Sequence, residues 1–437
     1  MMKLNYKRTI LVGFAFFSIC AFWQVYDTII PLILRDTYHM LDGPAGVVMA
    51  LDNVLALFLL PIFGALSDKK GARMPFIVRG TVCAAVLMML LPLMANAFDA
   101  GNTLFGAVAF LAALAVLLVV MGTYRSPAVA LMADVTPKPL RSQGNAVINL
   151  MGALGGLYTL VMIKVAVRSD ANGHADYFLL FLSVAVLMLA AIAVLVLTIR
   201  ERKLVQAMKD INYGVSAAED QGKTTEVDGK EQLPAPVKRS LVCVLACIVF
   251  WFMGYNAVIT AFSKYATHMW SGGLSHASTC LMVGTVAAVI SYLPVGMISA
   301  RFGRKRSIQA GLLSGVASFV FLAFVSRDFS PLLYLGFAGV GFAQAAVTVN
   351  TFPMVWEISR VGNIGKYTGY YYTCSMAAQT ITPILSGYLL QWFGYHTLLP
   401  YGAIMVAIAL IPITMAKHGD VKPAPKGNKL EMFDTDD

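Results

Sequence analysis

The stretch GALSDKKGARMP, Gly64 to Pro75, is a short cationic turn between two long apolar segments. A weaker copy, GMISARFGRKRS, runs from Gly296 to Ser307. Each begins with glycine, reaches a second glycine seven residues later, and carries Lys or Arg just after it. A basic turn between apolar runs, present twice in one chain, implies a membrane protein built by duplication.

Composition supports this. Of 437 residues, 58% are apolar and only 13% charged, and the mean hydropathy is +0.71. Soluble chains carry about twice that share of charge. The apolar residues fall in runs of ~20, the length that crosses a hydrocarbon layer of ~30 Å. Cys20, Cys83, Cys243, Cys247, Cys280 and Cys374 all sit inside such runs, so buried, reduced thiols are expected rather than a disulfide framework. The histidines sit in loops or at helix ends, and there is no HExxH, CxxC or Walker-type loop. No metal, cofactor or enzymatic chemistry is therefore expected. The N-terminal MMKLNYKR leads into an apolar run of ~25 residues without a small-x-small cleavage site, which predicts an uncleaved first helix.

Twelve spans are expected, at about 9–34, 44–64, 75–96, 104–133, 144–167, 178–199, 241–263, 276–299, 306–326, 331–353, 367–390 and 396–415. Without the short alternating strands of a barrel, an all-α membrane protein is the predicted fold class. The domains expected are a six-helix bundle over 1–199, a cytoplasmic linker over 200–240, a second six-helix bundle over 241–415, and a cytoplasmic tail over 416–437. The linker begins RERKLVQAMKD, which can continue as a surface helix, and then turns polar and flexible in composition. With the N-terminus inside, all 33 basic residues except Arg35, Arg168, Lys264, Arg327 and Lys164 fall on the cytoplasmic side. The net charge of +10 is thus a topology signal and not a nucleic-acid patch. A multi-pass protein of the cell membrane follows, with the bilayer as its partner, both termini cytoplasmic and no nucleic acid. The duplication recurs elsewhere. Phe22-Trp23-x-x-Tyr26-Asp27 is echoed by Phe250-Trp251-x-x-x-Tyr255-Asn256, and Pro127 to Gly144 by Pro353 to Gly369.

Gly64-x-x-x-Asp68-Lys69-x-Gly71-x-Arg73 resembles the signature loop of the major facilitator superfamily. The resemblance implies two parallel six-helix repeats with a substrate site near the midplane. It also implies gating roles for Gly64, Asp68, Gly71 and Arg73, the aspartate pairing with cationic and helix-terminal groups of neighbouring helices. Ala300 replaces Asp68 in the second copy, so a weaker or different latch is expected there. Tyr124-Arg125-Ser126-Pro127-Ala128, Asp134, Thr136-Pro137, Arg141 and Asn145-Ala146 form a pattern of about 30 residues. It resembles the sucrose-transporter and glycoside–pentoside–hexuronide:cation symporter branch, with Gly144 in place of the usual alanine. Asp134 and Arg141 bracket the turn and are read as part of the gate network.

Ionisable groups inside a membrane are costly and are functional candidates for that reason. Asp27 and Asp52 are expected ~9 and ~12 Å below the outer ends of their helices, where two neighbouring carboxylates would raise at least one pKa and carry a proton. Two other readings stand beside this: a sodium site with Asn53, or capped carboxylates that only position helices. Arg125 is a sugar-hydroxyl donor or a counter-ion to a coupling carboxylate, against the alternative of an interface anchor. Trp23, Tyr26, Asn145, Asn149, Asn256, Asn350, Tyr371 and Gln379 could line the cavity, although ordinary packing and interhelical hydrogen bonding account for such residues equally well. The expected function is proton-coupled transport of a small polar solute, a sugar or glycoside, by a monomer. The rivals are sodium-coupled symport, export of drugs or metabolites by the same fold, and a non-transporting membrane sensor.

Overall fold

A computed structural model describes residues 5–96, 103–136, 141–169, 175–206, 234–358 and 364–420. The first six long helices are α1 (Tyr6–Asp36), α2 (Asp42–Lys70), α3 (Met74–Asn96), α4 (Thr103–Asp134), α5 (Arg141–Ala166) and α6 (Phe178–Thr198). Six more follow: α7 (Ala235–Met269), α8 (Gly273–Phe302), α9 (Arg304–Val325), α10 (Leu332–Ile358), α11 (Ile364–Phe393) and α12 (Leu398–Met415). Eleven of the described helices are long and apolar enough to cross a membrane. The remaining one in the order, α11, has 30 residues but is rich in Tyr, Thr, Ser and Gln. Among the described residues the only strands are Arg168–Ser169 and Ala175–Asp176, an antiparallel pair between α5 and α6. An all-helical membrane protein is what lipid demands, because a helix satisfies its own backbone polar groups. Pro31, Pro61, Pro92, Pro127, Pro294, Pro353, Pro383 and Pro412 all lie inside helices.

The chain divides into two compact units, residues 1–26 with 54–231 and residues 27–53 with 232–437. In the first, α3 packs on α4 and on α6; in the second, α9 packs on α10 and on α12. The third helix of each set of six thus meets the fourth and sixth of its own set. Close approach is achieved in the same way in both: Gly80 of α3 lies against the Tyr124 ring of α4, and Gly311 of α9 against Ala346 of α10. Any side chain at either glycine would collide with its neighbour.

Two expectations from sequence need correction. The seventh span does not stop at 263, because α7 runs on to Met269 and Lys264 is a buried helical residue, not a loop cation. Its charge is tolerated there because it is paired (below). The cysteines are all free, but not all are buried: Cys83 is exposed on α3. It shares that face with Val86 and Leu90, which are also exposed. The Cys83 face of α3 therefore points away from the protein core, while Gly80, Ala84 and Met88 of the same helix are buried.

Candidate functional site

Three clusters of polar groups interrupt the apolar helices. The first is the turn from α2 to α3. Gly71 takes φ +61°, a left-handed conformation that glycine adopts without strain. Gly64 lies so close to α4 that a Cβ there would sit 2.8 Å from the Ser126 hydroxyl. Arg73, buried, joins the segments around it. Its Nε donates to Asp134 Oδ2 at 2.9 Å, and its Nη1 donates to Ser67 Oγ and, at 3.4 Å, to the Gly64 carbonyl. The first N–H groups of α3 need acceptors, and Glu201 supplies them. Its carboxylate accepts from Arg73 N and from Met74 N, the latter at 2.9 Å. A carboxylate at a helix N-terminus also complements the helix dipole. The structure thus brings together Arg73 and Asp134, both singled out from sequence, and adds Glu201, which was not. The signal for Glu201 was weak, since it stands in a charged run, RERK, that reads as solvated surface. Lys69 and Lys70 are exposed. The side chains of Asp68 and Arg141 lie outside the described set.

The corresponding turn from α8 to α9 is built on Gly303, with φ +98°. Asp420, beyond the end of α12, accepts from Lys305 N at 3.1 Å. Lys305 Nζ donates to the Thr414 and Ala416 carbonyls, each at 2.7 Å, and so caps the C-terminus of α12. The segment before Asp420 is also held: Lys417 N donates to Ser240 Oγ at 3.1 Å, and His418 Nδ1 lies 2.8 Å from that hydroxyl.

A further cluster lies in the second unit and was missed entirely. Lys264 Nζ pairs with Asp42 Oδ1 at 2.7 Å, with both side chains largely buried. Arg35 donates from Nη1 to the Lys264 carbonyl at 3.0 Å and from Nη2 to Thr267 Oγ1 at 2.9 Å, while also pairing with Asp36. Gly43 N donates to Gln391 Oε1 at 2.9 Å. The turn between α1 and α2 is therefore fastened to α7 and α11.

Mid-helix, Asp27 and Asp52 are both half-buried and both engaged with neighbours; Asp52 Oδ1 accepts from Asn53 Nδ2 at 2.8 Å. Arg125, half-buried in α4, places its guanidinium 5.3 Å from the centre of the Trp23 ring. Among the described residues it makes no hydrogen bond or ion pair. Trp23 is held edge-on by Phe22 at 5.3 Å and Tyr26 at 5.4 Å, and its Nε1 is buried without an acceptor among the described residues. Trp251, at the echoed position, donates its Nε1 to Gln344 Oε1 at 3.0 Å and stacks on Tyr255 at 5.5 Å.

The other expected lining residues divide. Tyr26 is buried, and Asn256 is half-buried with its Nδ2 lacking a partner among the described residues. Asn350 is buried and donates to the Ala346 carbonyl of its own helix, and Tyr371 is buried against Phe352 at 4.8 Å. Gln379 is half-buried and Asn149 exposed, and the Asn145 side chain lies outside the described set.

A family model described as Major Facilitator Superfamily matches residues 12–290 and 242–433. Among solved structures, the chain is similar to the inward open xylose transporter XylE from E. coli (16% identity, 98% of each chain, TM-score 0.65). It is also similar to an auto inhibited POT family peptide transporter (11% identity, 94% of this chain and 96% of that one, TM-score 0.66). A third is the nucleoside transporter NupG (11% identity, 94% of this chain and 99% of that one, TM-score 0.65). At these identities the structures speak for the fold alone. No curated protein matches the sequence.

Proposed function

The chain belongs to the major facilitator superfamily and is a secondary transporter rather than an enzyme, and we propose that it carries a small polar solute of the sugar or glycoside class, coupled to protons. The observation that carries this reading is Arg125, a half-buried cation in the C-terminal third of α4 that lies over the Trp23 face and makes no hydrogen bond or ion pair among the described residues. An arginine in the membrane interior costs upward of ~3 kcal/mol, and a ligand-facing role is the physical reason for keeping it there. Asp27 and Asp52, half-buried in α1 and α2, are the coupling groups in this reading. Each can take up a proton on one side of the membrane and release it on the other as its surroundings change.

In this reading the Lys and Arg of the Gly64–Pro75 turn and of both termini are cytoplasmic, and the protein works in the cell membrane as a monomer. The Arg73, Asp134 and Glu201 cluster is then the cytoplasmic gate, and the Asp42–Lys264 pair belongs to the opposite side. Gly64, Asp68, Gly71 and Arg141 complete the gate. Closing and opening of these clusters in alternation would expose the solute site to one side at a time. The test is uptake by right-side-out vesicles across a panel of sugars and glycosides, with a proton or a sodium gradient imposed. Accumulation under the proton gradient supports the reading. Accumulation only under sodium moves Asp52 and Asn53 into a cation site, and accumulation under neither rejects symport.

A further inference from the structure

The first unit holds hydrogen-bond donors within its membrane-spanning helices that no described acceptor meets. The Arg125 guanidinium makes no hydrogen bond or ion pair among the described residues, and the Trp23 N–H beneath it is buried and unpartnered. The carboxylates described in this unit are all occupied elsewhere. Asp134 pairs with Arg73, Glu201 caps α3, and Asp176 accepts from Asn96 Nδ2 and Phe178 N. The duplication supplies an internal control. Trp251 occupies the echoed position, is fully buried, and has its N–H taken by Gln344. An indole at this place in the repeat can therefore be satisfied within the protein, and only the copy beside Arg125 is left open.

Resting on the reading that Arg125 faces the transported solute, we infer that the solute bears a carboxylate. A guanidinium offers five N–H donors and no acceptor, and an indole offers one N–H and no acceptor. A carboxylate is the complementary group, since it accepts a bidentate pair from arginine, has lone pairs left for the indole, and brings no donor of its own. It also brings a negative charge that no described carboxylate of the unit gives to Arg125. A neutral hydroxyl accepts one of these bonds but leaves the cation uncompensated. Asp27, one helical turn beyond Trp23 on α1, is the rival counter-charge, and in that case the solute would be neutral. A monocarboxylate entering with one proton moves no net charge, so the two cases also differ electrically.

The test uses purified full-length protein in liposomes with an imposed proton gradient. The probes are labelled D-gluconate, D-glucuronate and L-lactate, against D-glucose and D-glucitol. The expected result is accumulation of at least one acid, no competition by the neutral polyols, and no membrane current during uptake. Arg125→Gln should lower acid uptake by about 100-fold with an unchanged unfolding temperature, while Arg125→Lys keeps a larger part of it. Trp23→Phe should raise KM for the acid, and Trp251→Phe should leave it unchanged. Accumulation of glucose with the acids inert overturns the carboxylate inference and leaves sugar symport standing. Acid uptake indifferent to any ion gradient supports the inference and removes the coupling. If none of the five probes moves, both fall.

Discussion

The turns at Gly64–Pro75 and Gly296–Ser307 descend from one plan and now do different amounts of work. Both rest on a glycine with positive φ, Gly71 in one and Gly303 in the other. In both, a carboxylate from just beyond the sixth helix of the set caps the third helix: Glu201 on Arg73 N, Asp420 on Lys305 N. The side chains at those capped positions then diverge. Arg73 reaches sideways to Asp134, Ser67 and Gly64, linking α2, α3 and α4. Lys305 reaches only to carbonyls at the end of α12. A planar guanidinium can hold several partners in a fixed fork, whereas an ammonium is a point charge. Packing differs in the same sense, with Gly64 crowded by Ser126 and Gly296 open to at least 4 Å. The backbone device was kept in both copies, and the multi-helix electrostatic junction is found in the first.

Substitutions at equivalent positions should separate the two turns, most strongly at Arg73 and Lys305. Arg73→Ala should cost about 2–3 kcal/mol, because it strands Asp134 and Ser67 in a partly buried cluster, whereas Lys305→Ala should cost about 1 kcal/mol or less. Unfolding temperatures in detergent measure both, and equal losses would erase the distinction. Gly71→Ala and Gly303→Ala should each cost about 1–2 kcal/mol, since both glycines have positive φ; here the two copies should agree. Glu201→Ala should cost about 1–2 kcal/mol and Asp420→Ala roughly half as much, because Glu201 caps two N–H groups and Asp420 one. Hydrogen exchange at the first turns of α3 and α9 reads this directly. The smallest expected contrast is between Gly64→Ala, at about 1 kcal/mol, and Gly296→Ala, within about 0.5 kcal/mol of zero.

What sequence made legible follows the range of the interactions. The apolar runs, the repeated turns and the fold class depend on local composition and spacing, and they appear in the structure as expected. Arg73 and Asp134 were visible because motif residues with unusual charge stand out one at a time. Glu201 and Asp420 were not, because each lies more than 100 positions from the helix it caps. Lys264 was misread as a loop cation for the same reason, since its partner Asp42 lies 222 positions away. The echo of Trp23 in Trp251 was legible. That one N–H is satisfied by Gln344 and the other left open is a tertiary fact, and the difference now separates a packing tryptophan from a candidate binding one.

Coupling through Asp27 and Asp52 requires protons to move with the solute, so proton flux is the measurement to make. Liposomes containing the protein, with a pH indicator outside and no imposed gradient, would be given a transported solute from the panel above. External alkalinisation is expected on solute addition, lost in Asp27→Asn or Asp52→Asn while solute exchange persists. Solute accumulation without any proton movement, or alkalinisation unchanged in both variants, would contradict it.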